Sequence, residues 1–166
     1  MNQASYHSLL ESLRKKWLAK GILHGHGASE AEIEEFQERH QVVLPPDVRA
    51  YFALLNGTTI GAYGMEDEDL LGFWHLDQVR TFAEQGVVDA PDASKSFVFA
   101  DHSIWVYAFA LRLSKNPAAP TSVVVDIGSP PTHVADSFAE FIERYLSGDQ
   151  NLIYPDPPPR TGTPAI

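Results

Sequence analysis

The sequence predicts an α+β domain: helices first, then a mostly antiparallel sheet, then a closing C-terminal helix. Three observations carry this. Apolar residues recur at helical spacing through residues 5–56. Runs rich in β-branched and aromatic residues, bounded by turn residues, take over from residue 70. A helical pattern then returns at 136–147. Residues 1–150 are expected to form one domain and 151–166 a proline-rich tail.

In the first helix, expected over 5–20, Tyr6, Leu9, Leu10, Leu13 and Trp17 share one face and Gly21 is the stop. Arg14, Lys15, Lys16 and Lys20 lie near its end, where they suit the helix dipole. The second helix, 30–40, opens with Ser29 and Glu32 at capping-box spacing. Glu30, Glu32, Glu34 and Glu35 crowd its positive end, and Ile33, Phe36 and His40 form a narrow inward stripe. The third, 46–56, lies inside "LPPDVRAYFALLNG". Leu44 is pushed into extended conformation by the proline after it, and Pro45 and Pro46 suit a first turn whose amides need no internal partner. Val48, Tyr51, Phe52 and Leu55 are its buried stripe, and Asn56-Gly57 tolerates the left-handed conformation of a helix end. Pro46, Tyr51, Phe52, Asn56 and Gly57 are therefore expected to be structural.

Strands are expected at 70–75, 96–100, 104–113 and 121–127, with a short helix at 77–86. In 104–113 the large Trp105, Tyr107, Phe109 and Leu111 alternate with smaller residues, among them Ala108 and Ala110. That pattern predicts a central strand covered on both faces, with small residues where a helix comes close. A last helix, 136–147, turns Phe138, Phe141, Ile142 and Tyr145 inward and stops at Ser147-Gly148. "YPDPPPRTGTPAI" has too many prolines and too little apolar surface for regular structure, so a mobile or extended tail is expected.

Composition narrows the chemistry. Without cysteine there are no disulfides, thiolate nucleophiles or thiolate zinc ligands, which fits a reducing cytoplasm. No stretch approaches the roughly 18 apolar residues of a membrane span, and the N-terminus lacks the apolar block of a secretory signal. The net charge is −10, yet residues 1–20 carry +3, so residues 21–166 carry −13. Such a surface repels nucleic-acid phosphates and favours a basic partner through long-range steering.

Motif by motif, catalysis finds little footing. His24-Gly-His26 lacks a third ligand at diagnostic zinc spacing. "EDEDLLG" fails as a calcium loop, because Leu71 and Gln78 stand where ligands belong. Asp101-His102-Ser103 holds the residue types of a hydrolase triad, but neighbours on a strand point to opposite faces. Asp101 is expected to cap or turn the chain between two strands. There is no phosphate-binding loop, dinucleotide fingerprint or zinc-protease motif. The aromatic run Phe97, Phe99, Trp105, Tyr107, Phe109 lacks the basic groove of a nucleic-acid stacking platform and is read as core. No cofactor, metal, nucleic acid or membrane is expected as a partner.

"ASEAEIEEFQERHQVVLPPDVRAYFALLNG", followed by "FADHSIWVYAFAL" and "DSFAEFIERYL", resembles the Smi1/Knr4 (SUKH) superfamily from about Ser29 to Gly148. The resemblance implies an α+β domain with one sheet flanked by helices. It also implies, for bacterial members, an immunity protein that neutralises a toxin domain encoded beside it, often a nuclease. Eukaryotic members are scaffolds linked to cell-wall regulation. The leading expectation is thus a non-catalytic cytoplasmic protein that binds a basic toxin domain. A regulatory scaffold is the alternative, and a small hydrolase of unrecognised type a distant third. The acids expected to meet a basic partner are Glu66, Asp67, Glu68 and Asp69, joined by Asp89 and Asp92 if the fold brings the loops together.

Overall fold

The structure, a computed structural model, describes residues 3–22, 24–58, 70–87, 90–103, 105–116, 118–119, 121–126 and 131–154. Three helices come first: α1 (Gln3–Ala19), α2 (Glu30–His40) and α3 (Pro46–Leu54). A six-stranded sheet follows, built from β1 (Leu71–Phe73), β2 (Arg80–Thr81), β3 (Ser96–His102), β4 (Tyr107–Arg112), β5 (Val123–Asp126) and β6 (Thr132–Ala135). Helices α4 (Phe138–Ser147) and α5 (Gln150–Ile153) close the chain. The strands run β1-β3-β4-β5-β6, and β2 shares the β1 side of β3; every pairing is antiparallel. This is the α+β architecture the sequence predicts.

Helix ends follow their local chemistry. Ser29 accepts from the Glu32 amide while the Glu32 carboxylate accepts from the Ser29 amide, so both halves of the capping box form. Gln41 ends α2 in left-handed conformation at φ 53°. Ser137 caps α4 by accepting from the Glu140 amide.

The main core lies between the sheet and the helices. Trp17 and Leu13 of α1, Tyr51 and Phe52 of α3, and Phe141 and Tyr145 of α4 are all fully buried there. The Trp17 indole N–H donates to the Tyr145 hydroxyl at 3.2 Å, and the Lys16 ammonium lies 4.2 Å from the Tyr145 ring centre, which docks α1 on α4. The opposite face of the sheet carries a smaller cluster: Val98, Ala108, Ala110 and Val124 under Phe82, Ala90 and Ala93. Residues 108 and 110 are therefore small because Phe82, Ala90 and Ala93 pack over them. The helices meet Phe109 and Leu111 instead, which reverses the expected placement of a helix over the small side chains.

A bulge in β3 sets which residue faces which side. Val98 pairs with Ala110, but the next pair is Ala100 with Phe109, leaving Phe99 as the extra residue. Phe99 and Ala100 consequently both enter the helix-side core. The Phe99 carbonyl accepts from the Trp74 amide at 2.7 Å, so the bulge also anchors the chain just beyond β1.

Three expectations are corrected and one strand is added. Residues 77–86 are not a helix: Arg80 and Thr81 pair with Val98 and Phe97 as β2, and turns flank them. The pairing with β3 decides it. The Thr81 hydroxyl accepts from the Glu84 amide at 3.1 Å and the Glu84 carboxylate accepts from the Thr81 amide at 2.7 Å, a capping box that here opens a single turn, with the Gln85 amide donating to the Thr81 carbonyl before Gly86 at φ 86°. The expected strand over 104–113 begins only at Tyr107, because Trp105 adopts φ 69° in a turn. Strand β6, short and preceded by Pro130 and Pro131, is an addition at the sheet edge. Finally, residues 151–153, past the expected boundary at 150, complete α5, with Leu152 and Ile153 buried. Expectations for the tail beyond Tyr154 lie outside the described residues.

Candidate functional site

A binding site for a protein partner is built from groups the fold leaves exposed, and the fold itself consumes several of the polar residues. Asn56, at φ 50°, accepts from the Leu76 amide at 2.8 Å and donates to the His26 carbonyl at 3.0 Å. It thereby ties the end of α3 to two other segments. Gly57, at φ 81°, lies so close to the chain after β1 that a Cβ would sit 2.7 Å from the Phe73 carbonyl oxygen. Asn-Gly is architectural, as expected.

The His24–Ala28 segment is architectural too. Gly25 donates to the Gly57 carbonyl at 3.0 Å and Ala28 to the Phe52 carbonyl at 2.8 Å. At Gly27 a Cβ would fall 1.9 Å from the Ala53 carbonyl oxygen, so the glycine is required for backbone to pass over α3. The Nδ1 of His24 lies 2.7 Å from the Gly25 carbonyl oxygen. Among the described residues, no group of three or more His, Asp or Glu side chains is placed to hold a metal ion.

The triad-like Asp101-His102-Ser103 diverges. The Asp101 carboxylate, on the face away from the helices, accepts from the Trp74 indole N–H at 2.5 Å and from the Trp105 amide at 2.8 Å. His102 is buried on the helix side, stacked 4.4 Å from the Tyr107 ring. Asp101 organises the β3–β4 turn, as the sequence led one to expect.

Of the acids expected to meet a partner, Glu66, Asp67, Glu68, Asp69 and Asp89 lie outside the described residues. Asp92 is placed. It precedes a 3-10 turn at Ala93–Lys95 and is flanked by Lys95 at 3.8 Å and Arg112 at 3.9 Å. Arg112 pairs with Ser96 at the start of β3, whereas the Leu70 carbonyl accepts from the Ser103 amide at its far end. The described residue next in sequence to the acidic run, Leu70, and Asp92 thus stand at opposite ends of the β3–β4 hairpin.

A second acidic feature has no counterpart in the sequence reading. A cleft of about 1300 Å³ opens between α1, α3 and the start of α4. Ala4, Leu10, Ala50 and Ala53 line it, with Asp47, Glu140 and Glu143 at its polar margin. Burial raises the Asp47 carboxyl above its ordinary value, although amides of Val48, Asp47 and Ala139 favour its ionised form. Tyr6, also lining the cleft, has a buried hydroxyl with no hydrogen-bond partner, and burial with Asp47 nearby raises its pKa. Glu140 and Glu143 are one turn apart on α4, but Asp47 lies 93 residues before Glu140, so only the packing of α3 against α4 makes it their neighbour.

No helix among the described residues is long and apolar enough to cross a membrane. Comparison with curated proteins gives no match. The family model described as SMI1 / KNR4 family (SUKH-1) matches residues 27–144. That span runs from the loop before the capped α2 through the Asn-Gly end of α3 and the sheet into α4. It covers well over half of the chain, and the chain belongs to the SMI1/KNR4 family (SUKH-1).

Proposed function

We propose that this chain is an immunity-type protein that binds and neutralises a basic toxin domain encoded by a neighbouring gene. Family membership is the observation that carries the reading, since it supports a non-enzymatic immunity-type or Smi1/Knr4-like protein. The net charge of −10 supports a basic partner. Glu66, Asp67, Glu68 and Asp69 are proposed as the acids that steer it, with Asp89 and Asp92 in support. Asp92 has its own cations close by, so the weight falls on the run of four.

An inhibitor must reach its toxin quickly, and complementary charge raises association rates more reliably than affinity. The test is association kinetics against the toxin domain encoded next door, at two ionic strengths. Neutralising 66–69 to Asn and Gln should slow association and flatten its salt dependence while leaving the fold intact. An equal rate at low salt for the variant and the natural chain would remove these acids from the interface. No binding by the natural chain, or an isolated gene with no toxin beside it, would favour the scaffold reading instead.

A further inference from the structure

The turn between β3 and β4 is unlike the rest of the described surface. Leu70, Trp105 and Val106 are 44%, 37% and 69% exposed, three large apolar side chains at one end of the sheet. The chain holds them there at a conformational cost. Leu70, Ser103 and Trp105 all have positive φ, at 60°, 50° and 69°, a region side-chain-bearing residues avoid.

The arrangement is also fixed. The Trp105 ring stacks on Trp74 at 5.3 Å with 28° between planes. Asp101 bonds both residues, one oxygen to the Trp74 indole N–H and the other to the Trp105 amide. Ser103 donates to the Leu70 carbonyl and Val106 to the His102 carbonyl, which joins the turn to β1 and β3. A preordered indole beside exposed aliphatic groups is the composition of a protein-interface hot spot, and preordering removes entropy loss on binding.

Charge identifies the occupant. Residues 70–76, 99–103 and 105–109, the described residues of this end of the hairpin and of β1 beside it, contain no Lys or Arg, while Lys95, Arg112 and Lys115 lie at the other end of the hairpin. The Asp101 carboxylate, bonded to the Trp74 indole N–H and the Trp105 amide, and the indole faces themselves attract cations.

We infer that Trp105, Val106 and Leu70, supported by Trp74 and Asp101, form the docking surface for a basic protein partner that seats an arginine or lysine among apolar side chains. This rests on the binding reading above and names its contact surface.

The test uses the full chain and two labelled peptides, one alternating Arg with Leu and one alternating Glu with Leu, followed by fluorescence anisotropy. The basic peptide should bind saturably and the acidic one should not. Trp105→Ala should weaken binding about tenfold or more. If that variant loosens the turn, Val106 decides, because so exposed a side chain contributes little to folding. Val106→Arg should weaken the basic peptide about tenfold, and Val106→Glu should leave it within about twofold. Equal loss with both Val106 variants, or equal binding of both peptides, would overturn the charge argument. Loss with Glu140→Gln and Glu143→Gln but not with Trp105→Ala would place binding in the cleft between α1, α3 and α4 and overturn the inference. Self-association of the natural chain abolished by Val106→Arg would make a second copy the occupant and overturn it as well. The same variants are then titrated with the neighbouring toxin domain. Toxin binding unaffected by them leaves the immunity reading standing and removes this surface; peptide binding without toxin binding keeps the surface and removes that reading.

Discussion

Asn56 and Leu76 are joined across twenty residues by one hydrogen bond, from the Leu76 amide to the Asn56 side-chain carbonyl at 2.8 Å. The same side chain donates to His26, so three separate segments meet on one amide group. Asn56→Asp keeps the acceptor but sets an oxygen against the His26 carbonyl. Asn56→Ala removes both bonds and places alanine at positive φ. Each should lower unfolding free energy by about 2 kcal/mol, measured by urea denaturation.

Gly57 should be less tolerant still. Any Cβ meets Phe73 and Trp74 backbone at 2.7 Å, and φ is 81°. Gly57→Val should cost about 2 kcal/mol or more, seen as a lower melting temperature. An unchanged melting curve would show that the segment after β1 does not need this close approach.

How much of this was legible in the sequence depends on the range of the signal. Helix α3 and its ends could be read because Pro45-Pro46 and Asn56-Gly57 act within one turn of chain. The capping box of α2 was equally local. Residues 77–86 misled, since a four-residue Thr-Glu box can start a helix or replace one, and pairing with Val98 and Phe97 decided the matter. The approach of Asp47 to Glu140 and Glu143 and the Trp74–Trp105 stack were invisible because the partners are distant in sequence and meet only through packing. The left-handed Leu70 and Trp105 carry no glycine or asparagine to announce them.

Asp101 should matter through its two bonds rather than through its charge alone. Asparagine can accept with only one atom, so Asp101→Asn leaves either the Trp74 indole N–H or the Trp105 amide without its acceptor. The expected result is a weaker near-ultraviolet circular dichroism signal from the stacked indoles, with the far-ultraviolet spectrum unchanged. Asp101→Ala should lose more of that signal.

Two half-buried titratable groups act in opposite directions on stability. His40 packs between Phe36 and Phe97, its Nε2 buried without a partner, and burial holds its pKa below the ordinary 6.5; Glu84 opposes this while Arg39 and Arg80 add to it. The folded chain therefore binds its proton later than the unfolded chain. Stability from His40 is present above 6.5 and is lost as pH falls toward the folded value. His40→Phe should flatten the loss of melting temperature between pH 7 and pH 5.

Asp47 has the reverse sign. Its folded pKa is raised above 3.8, so its contribution is present below 3.8 and lost as pH rises through the folded value. Asp47→Asn keeps an oxygen for the Val48 amide and should raise the melting temperature at pH 7, with the advantage shrinking at pH 3.

The extra residue at Phe99 makes the parity of β3 a single-residue matter. Strict alternation from Val98 would send Ala100 to the loop side and Asp101 toward the helices, among Phe109 and Phe141. One inserted position turns Asp101 outward to Trp74 and puts His102 inside. Deleting Phe99 would therefore keep Asp101 outside, because Val98 and Ala100 already pair with successive residues of β4, while removing one ring from the helix-side core. Losing the bulge with all seven residues of β3 retained would instead exchange the inner and outer residues of the hairpin's end, erasing the Asp101–Trp74 pair with every side chain chemically unaltered.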